Sequence, residues 1–334
     1  MMSIEMFNVI ALIHSFLQRT VFRLWKHATP LPRQHVISEK HSYSQLYSNI
    51  LRRMPADAWD SHMHVTGGKD YPIIPTAAYT PSTHTIHDAK RFESTIGISN
   101  VVFVQPSIYG NDNSCLLDGL RALGPRRGRG VVGIDPNKVN PEELLAWHEL
   151  GVRGVRLNLK SVNAKLTPTQ LEDKLRQYAK IVKPLGWVLE LFIEMESLPI
   201  IGDIPEDLGI RICFAHFGAP KLPPMEKRTH PINPYNLAGF QSLINLLQKP
   251  DVWVKISAAY RLDEDPEFRG IEAVALELLK KAPSRCVFAS DWPHTRFDGF
   301  DVRPFVDRCL QWTEAAGTTK AVFVDNARDL WDVR

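Results

Sequence analysis

Eight short runs rich in β-branched and aromatic residues, each leading into a stretch of helical periodicity, constrain this chain more than any other feature. The runs are Trp59–His64, Val101–Gln105, Val131–Ile134, Val155–Leu159, Val188–Phe192, Ile212–His216, Val252–Ser257 and Cys286–Asp291. Most are continuously apolar rather than alternating, as strands are when helices cover both faces of a parallel sheet. Between them the periodicity predicts helices over His87–Ile96, Pro141–Leu150, Thr169–Leu185, Leu237–Gln248, Gly270–Ala282 and Val302–Ala316. Asn140-Pro141-Glu142-Glu143 gives one of these its start, with a capping side chain, a proline at the first helical position and acids in the first turn. Eight strands alternating with helices over about 270 residues predict a (β/α)8 barrel rather than an open sheet. A doubly wound sheet would want a glycine-rich phosphate turn after an early strand, and Gly67-Gly68 lacks both the third glycine and a following helix.

The barrel is expected over 55–334, preceded by a helical extension and linker over 1–54. Apolar residues at 6, 9, 10, 13, 16, 17, 21 and 24, with Arg19, Arg23 and Lys26 among and after them, predict an amphipathic helix. Its uncharged run from Met6 to Gln18 is too short to span a bilayer, which takes about 20 residues. Glu5 ahead of that run, and the lack of an Ala-x-Ala pattern after it, argue against a secretory leader. The expected role is docking on the barrel or on a partner subunit in a homo-oligomer, with membrane-surface contact as the alternative. Pro30 and Pro32 mark a linker, and a polar helix is expected over Tyr43–Arg53. A net charge of +3 is too small to argue for nucleic acid, and the broken cluster Arg126, Arg127, Arg129 reads as a solvated loop. Four scattered cysteines, with no Cys-x-x-Cys, suit buried thiols in a reducing, cytoplasmic setting.

Chemistry is expected where strands end, because barrel enzymes draw their catalytic groups from the C-terminal mouth. Strand one ends in Asp60-Ser61-His62-Met63-His64, strand six in Phe214-Ala215-His216-Phe217-Gly218, and strand eight in Ala289-Ser290-Asp291-Trp292-Pro293-His294. Residues two apart on a strand share a face, so His62 and His64 point the same way. One strand histidine is usually a satisfied core residue. Three histidines and an aspartate at the ends of one barrel are a different matter, since buried polar groups are costly unless paired.

These residues resemble the amidohydrolase superfamily, whose signature is similar to Asp60–His64 and to Ser290–His294. The intermediate motifs Val104–Gly110, Gly151–Asn158, Ala215–Gly218, Trp253–Ser257 and Tyr260-Arg261-Leu262 resemble one branch of it, the 2-pyrone-4,6-dicarboxylate lactonases. The resemblance covers roughly residues 55 to 332 and implies a hydrolase of a lactone or related ester. It implies Asp291 as the base that activates water, with His62, His64 and His216 polarising the carbonyl through donor nitrogens. Burial is expected to raise the Asp291 pKa toward usefulness. Arg156 and Arg261 would anchor a substrate carboxylate, while Ser107, Tyr79 and Tyr109 would donate hydrogen bonds and His294 would line the mouth.

The lactonase branch implies no metal. Arg156 on strand four and the lack of a histidine on strand five remove the usual second set of ligands, although His62, His64, His216 and Asp291 could hold a single zinc. The sequence departs from the branch after Gly218, where Ala219-Pro220 stands in place of an arginine of the anionic clamp. The expected pocket is therefore less cationic, for a substrate with at most one carboxylate. Two other functions compete: metal-dependent non-oxidative decarboxylation of an aromatic or unsaturated acid, and a non-catalytic ligand-binding barrel.

Overall fold

The computed structural model describes residues 45 to 202 and 204 to 333. The amphipathic helix and proline linker expected before residue 45 lie outside the described residues, as do the first two residues of the predicted Tyr43–Arg53 helix. Among the described residues, no helix is long and apolar enough to cross a membrane.

Eight parallel strands are hydrogen-bonded in chain order: β1 (Trp59–Met63), β2 (Asn100–Val104), β3 (Gly128–Val132), β4 (Val152–Asn158), β5 (Val188–Phe192), β6 (Ile212–Phe214), β7 (Val252–Ile256) and β8 (Cys286–Phe288). The sheet closes past the end of β8, where Asp291 N donates to His62 O at 3.0 Å and His64 N to Trp292 O at 2.7 Å. The Asp60 carboxylate ties the same seam, accepting from His62 N at 3.1 Å and from Ser290 N at 3.0 Å. This is the (β/α)8 barrel expected from the alternating runs. The β3 strand begins earlier than the apolar run Val131–Ile134, because its first residues, Gly128, Arg129 and Gly130, are not apolar. A Cβ on Gly130 would lie 2.8 Å from Leu120.

The helices begin where local chemistry starts them. Thr85 and Asp88 form a reciprocal capping box ahead of Ile86–Ile96, and Thr167 with Gln170 does the same for Pro168–Val182. Asn140 caps Pro141–Leu150 through Glu142 N. Residues 46–53 are helical as well, and Arg53 reaches Asp307 and Glu314 on the Arg303–Ala315 helix at 2.5 and 2.7 Å.

The barrel interior is layered. At the N-terminal end, Trp59, Val102, Val188, Trp253 and Val287 pack with Leu330 and Trp331 of the C-terminal segment, which plugs the floor. A layer of charge lies above, made by Arg156, Glu190 and Lys255, all buried. The register of β1 against β2 shifts between Asp60 and Met63. Ser61 accepts a hydrogen bond from Trp331 Nε1 at 3.2 Å, yet the adjacent His62 also faces inward toward Lys255. That irregularity is what lets two consecutive residues serve the interior. All four cysteines are free and buried.

Candidate active site

The mouth gathers the three histidines around one carboxylate oxygen. Asp291 Oδ1 lies 3.6 Å from His62 Nε2, 3.6 Å from His64 Nε2 and 3.8 Å from His216 Nε2. The two imidazoles of β1 approach each other at 3.3 Å between their Nε2 atoms. The other oxygen, Oδ2, accepts from Tyr260 OH at 2.7 Å and from Arg261 Nε at 2.6 Å. His216 and Asp291 both adopt left-handed backbone, with φ of 51° and 63°. Side-chain residues rarely occupy that region, and such strain gathers where a fold aims a functional group.

Hydrogen-bond partners assign most of the tautomers. His64 Nδ1 lies 2.7 Å from Val104 O, which can only accept, so Nδ1 carries the proton and Nε2 presents a lone pair. His62 Nδ1 lies 3.2 Å from Lys255 Nζ, which can only donate, so its proton sits on Nε2. His216 Nδ1 pairs with Ser257 Oγ at 2.8 Å. The expectation that all three histidines present donors to a carbonyl is thereby corrected: His64 faces the cluster as an acceptor.

Electrostatics correct a second expectation. Burial works to raise the Asp291 carboxyl, but the Arg261 guanidinium paired with it outweighs burial and holds the group well below the usual carboxylate range. Burial pushes His64 down to about 4 and His216 to about 3, so both are neutral near pH 7. His62, desolvated and facing Lys255, is also driven well below its ordinary value.

A cavity of about 200 Å³ opens on this cluster. Of the residues singled out from sequence, His64, His216, Asp291, Arg156, Arg261, Ser107 and Tyr79 line it. His62 lies just beneath, fully buried. Two others are placed elsewhere. Tyr109 spends its hydroxyl on Gly67 N at 3.1 Å, and His294 is buried against Phe92, Tyr260 and Phe300 rather than lining the cavity.

Lys160, which the sequence offers past Asn158 where the clamp would want arginine, lines the cavity, and so does Arg296, which sequence reasoning missed. Arg296 is exposed, has its guanidinium 4.4 Å from the Tyr79 ring centre, and has no ion-pair partner among the described residues. Nothing local distinguishes it from any other loop arginine. The cavity is cationic on its own count. Arg156, Lys160, Lys255, Arg261 and Arg296, in and beneath the cavity, face three carboxylates, Glu190, Glu194 and Asp291, leaving a net of two positive charges.

Family comparison agrees with this architecture. The family model described as Amidohydrolase matches residues 59–333. The chain belongs to the amidohydrolase family. It is 29% identical over 307 residues to a 4-sulfomuconolactone hydrolase of Hydrogenophaga intermedia, covering 88% of this chain and 95% of that one. It is 28% identical over 252 residues to a 2-pyrone-4,6-dicarboxylate hydrolase of Comamonas testosteroni, covering 72% and 78%. A solved structure from Pseudomonas putida, described as a putative 2-pyrone-4,6-dicarboxylic acid hydrolase, superposes with a TM-score of 0.67 at 28% identity, over 84% of this chain and 98% of that one. As an amidohydrolase-family hydrolase, the chain carries its His-x-His pair on β1 and its aspartate just beyond β8.

Three of these residues could hold a divalent cation. His62, His216 and Asp291 bring ligand atoms within 4.8 Å of one another, and His64 Nε2 stands 3.6 Å from Asp291 Oδ1. Neutral imidazoles and a carboxylate are donors of the type that binds zinc.

Proposed function

We propose that this amidohydrolase opens a small lactone that carries two anionic groups, with Asp291 as the proton acceptor for the attacking water. The observation that carries the reading is Asp291 Oδ1, buried, ionised and facing three neutral imidazoles on a cavity with two uncompensated positive charges. The two relatives, a hydrolase of a sulfonated lactone and a hydrolase of a pyrone dicarboxylate, support the same substrate class.

Asp291 is a weak base while Arg261 and Tyr260 hold its Oδ2. Arg261 lines the cavity, and a substrate anion drawing on its remaining N–H groups would loosen that hold and raise the basicity of Asp291 when substrate is bound. Water on Oδ1 gives its proton to Asp291 as its oxygen attacks the ester carbon. The ring C–O bond then breaks, and the proton passes to the leaving oxygen, from Asp291 directly or through His216 Nε2, 3.8 Å away. The products are a carboxylate and a ring-opened alcohol or its keto tautomer. Arg156 takes one anionic group, and Lys160 with Arg296 the other. Ser107 and Tyr79 orient the ring over Phe192. Should a divalent cation be bound, His62, His64, His216 and Asp291 would hold it, and it would supply a Lewis acid for the carbonyl and a more acidic water.

A screen of monocyclic lactones bearing no, one or two anionic groups, and of unsaturated carboxylic acids, run with and without chelator, tests the reading. Ring opening of the dianionic lactones is expected. Carbon dioxide released from an acid, with every lactone left intact, would replace hydrolysis with metal-dependent decarboxylation.

A further inference from the structure

Beneath the cluster, two fully buried charges meet His62 from the side away from the cavity. Lys255 Nζ lies 3.2 Å from His62 Nδ1 and is hydrogen-bonded to Glu190 Oε2, while Glu190 Oε1 lies 3.5 Å from the same Nδ1. Among the described residues Glu190 Oε1 accepts no hydrogen bond, and its ion-pair partner Arg156 has Nε 3.4 Å away. Trp331, risen from the floor, places its ring 5.2 Å under the ammonium and caps the layer.

These two neighbours make opposite demands on one nitrogen. An ammonium only donates, so Lys255 fixes a lone pair on Nδ1 and puts the proton on Nε2. A carboxylate only accepts, so Glu190 would hold the reverse tautomer, with the proton on Nδ1 and a lone pair on Nε2. Only the reverse tautomer can ligate a metal through Nε2, and metal-bound imidazoles characteristically donate their other N–H to a carboxylate or carbonyl. Lys255 occupies the place where that donation would go, and Glu190 Oε1 stands beside it, accepting no hydrogen bond among the described residues. Both states are thus built into the layer, and the ammonium selects one.

We infer that Lys255 and Glu190 are positioning residues that set the His62 tautomer, Lys255 holding the donor form and so disfavouring metal at the Asp291 cluster. The inference rests on His62 belonging to the catalytic cluster but not on any substrate. Its test therefore separates from the lactone screen.

The first measurement needs no mutation. In metal-free, full-length protein, long-range ¹⁵N–¹H spectra of the His62 ring are expected to show a protonated Nε2 and a bare Nδ1. A protonated Nδ1 would overturn the inference. The second compares zinc affinity, by titration of the metal-free protein. Lys255→Met releases Nδ1 to Glu190 and is expected to tighten zinc about tenfold or more. Lys255→Arg keeps a donor at Nδ1 and is expected to leave the affinity within about threefold of the parent. A merely structural role for the lysine predicts weaker zinc binding in Lys255→Met, and that result, or an unchanged affinity in the folded variant, would overturn the inference.

Discussion

The two ends of the barrel are built from the same eight strands on opposite principles. At the floor, large apolar side chains such as Trp59, Trp253 and Val287 close around Trp331 with ordinary extended backbone. At the mouth, buried polar groups take their place. Seven of the eleven non-glycine residues with left-handed backbone among the described residues (His216, Phe217, Ala219, Ala258, Asp291, His294 and Arg296) stand just past β6, β7 and β8. Each such residue costs roughly 1–3 kcal/mol, and each buried charge adds a desolvation cost that only partners offset. The contrast teaches that the floor supplies the stability against which the mouth can be strained. Perturbing one end should therefore change a different observable from perturbing the other.

The sharpest separation is expected from Asp291→Asn, which keeps size and shape at the mouth. Turnover should fall on the order of 10²–10⁴-fold, with circular dichroism unchanged. Retained turnover would remove Asp291 from the chemistry. The converse is Trp253→Ala at the floor, expected to cost about 3–5 kcal/mol in a denaturant titration while KM of the folded fraction stays put. A shifted KM would show that the two ends are not independent.

Acid should weaken the mouth first. His64 and His294 are held neutral in the fold down to about 4, whereas the unfolded chain protonates them near 6.5. Below 6.5 the unfolded state binds more protons, so stability falls as pH drops from 6.5 toward 4, by up to about 1.4 kcal/mol per histidine per pH unit. Denaturant midpoints of the metal-free protein that stayed flat across this window would refute the assigned neutral forms.

Arg296→Ala should raise KM for a dianionic lactone about tenfold, equivalent to roughly 1.4 kcal/mol. Turnover and melting temperature should barely move, because this guanidinium is exposed and bridges no carboxylate among the described residues. The smallest effect belongs to Tyr109→Phe. It removes one acceptor from Gly67 N, should cost about 1 kcal/mol of stability, and should leave KM unaltered. A large KM change would bring Tyr109 back to the substrate.

Much of this was legible along the chain. The apolar runs named the strands because parallel strands are covered on both faces, and the positions of His62, His64, His216 and Asp291 within those runs placed them at one end. Glu190 and Lys255 carried a signal that could have been weighed more heavily: a charge in the middle of an otherwise apolar strand must face a partner across the barrel. Arg296 carried none, since a cation in a loop looks the same whether it faces water or a substrate. Tyr109 and His294 were misplaced because their neighbourhood in sequence says nothing about where a ring turns after a strand ends.

The sequence by itself determined the barrel, the family and the four groups at its mouth, because strand periodicity and strand ends are local properties. Tertiary structure alone decided which nitrogen of each histidine bears its proton, how far Asp291 is held from basicity, and how many positive charges the cavity keeps. Those quantities depend on distances between side chains far apart in the chain, such as Lys255 to His62 and Arg261 to Asp291, and electrostatic interaction is a function of distance and burial rather than of order along the sequence.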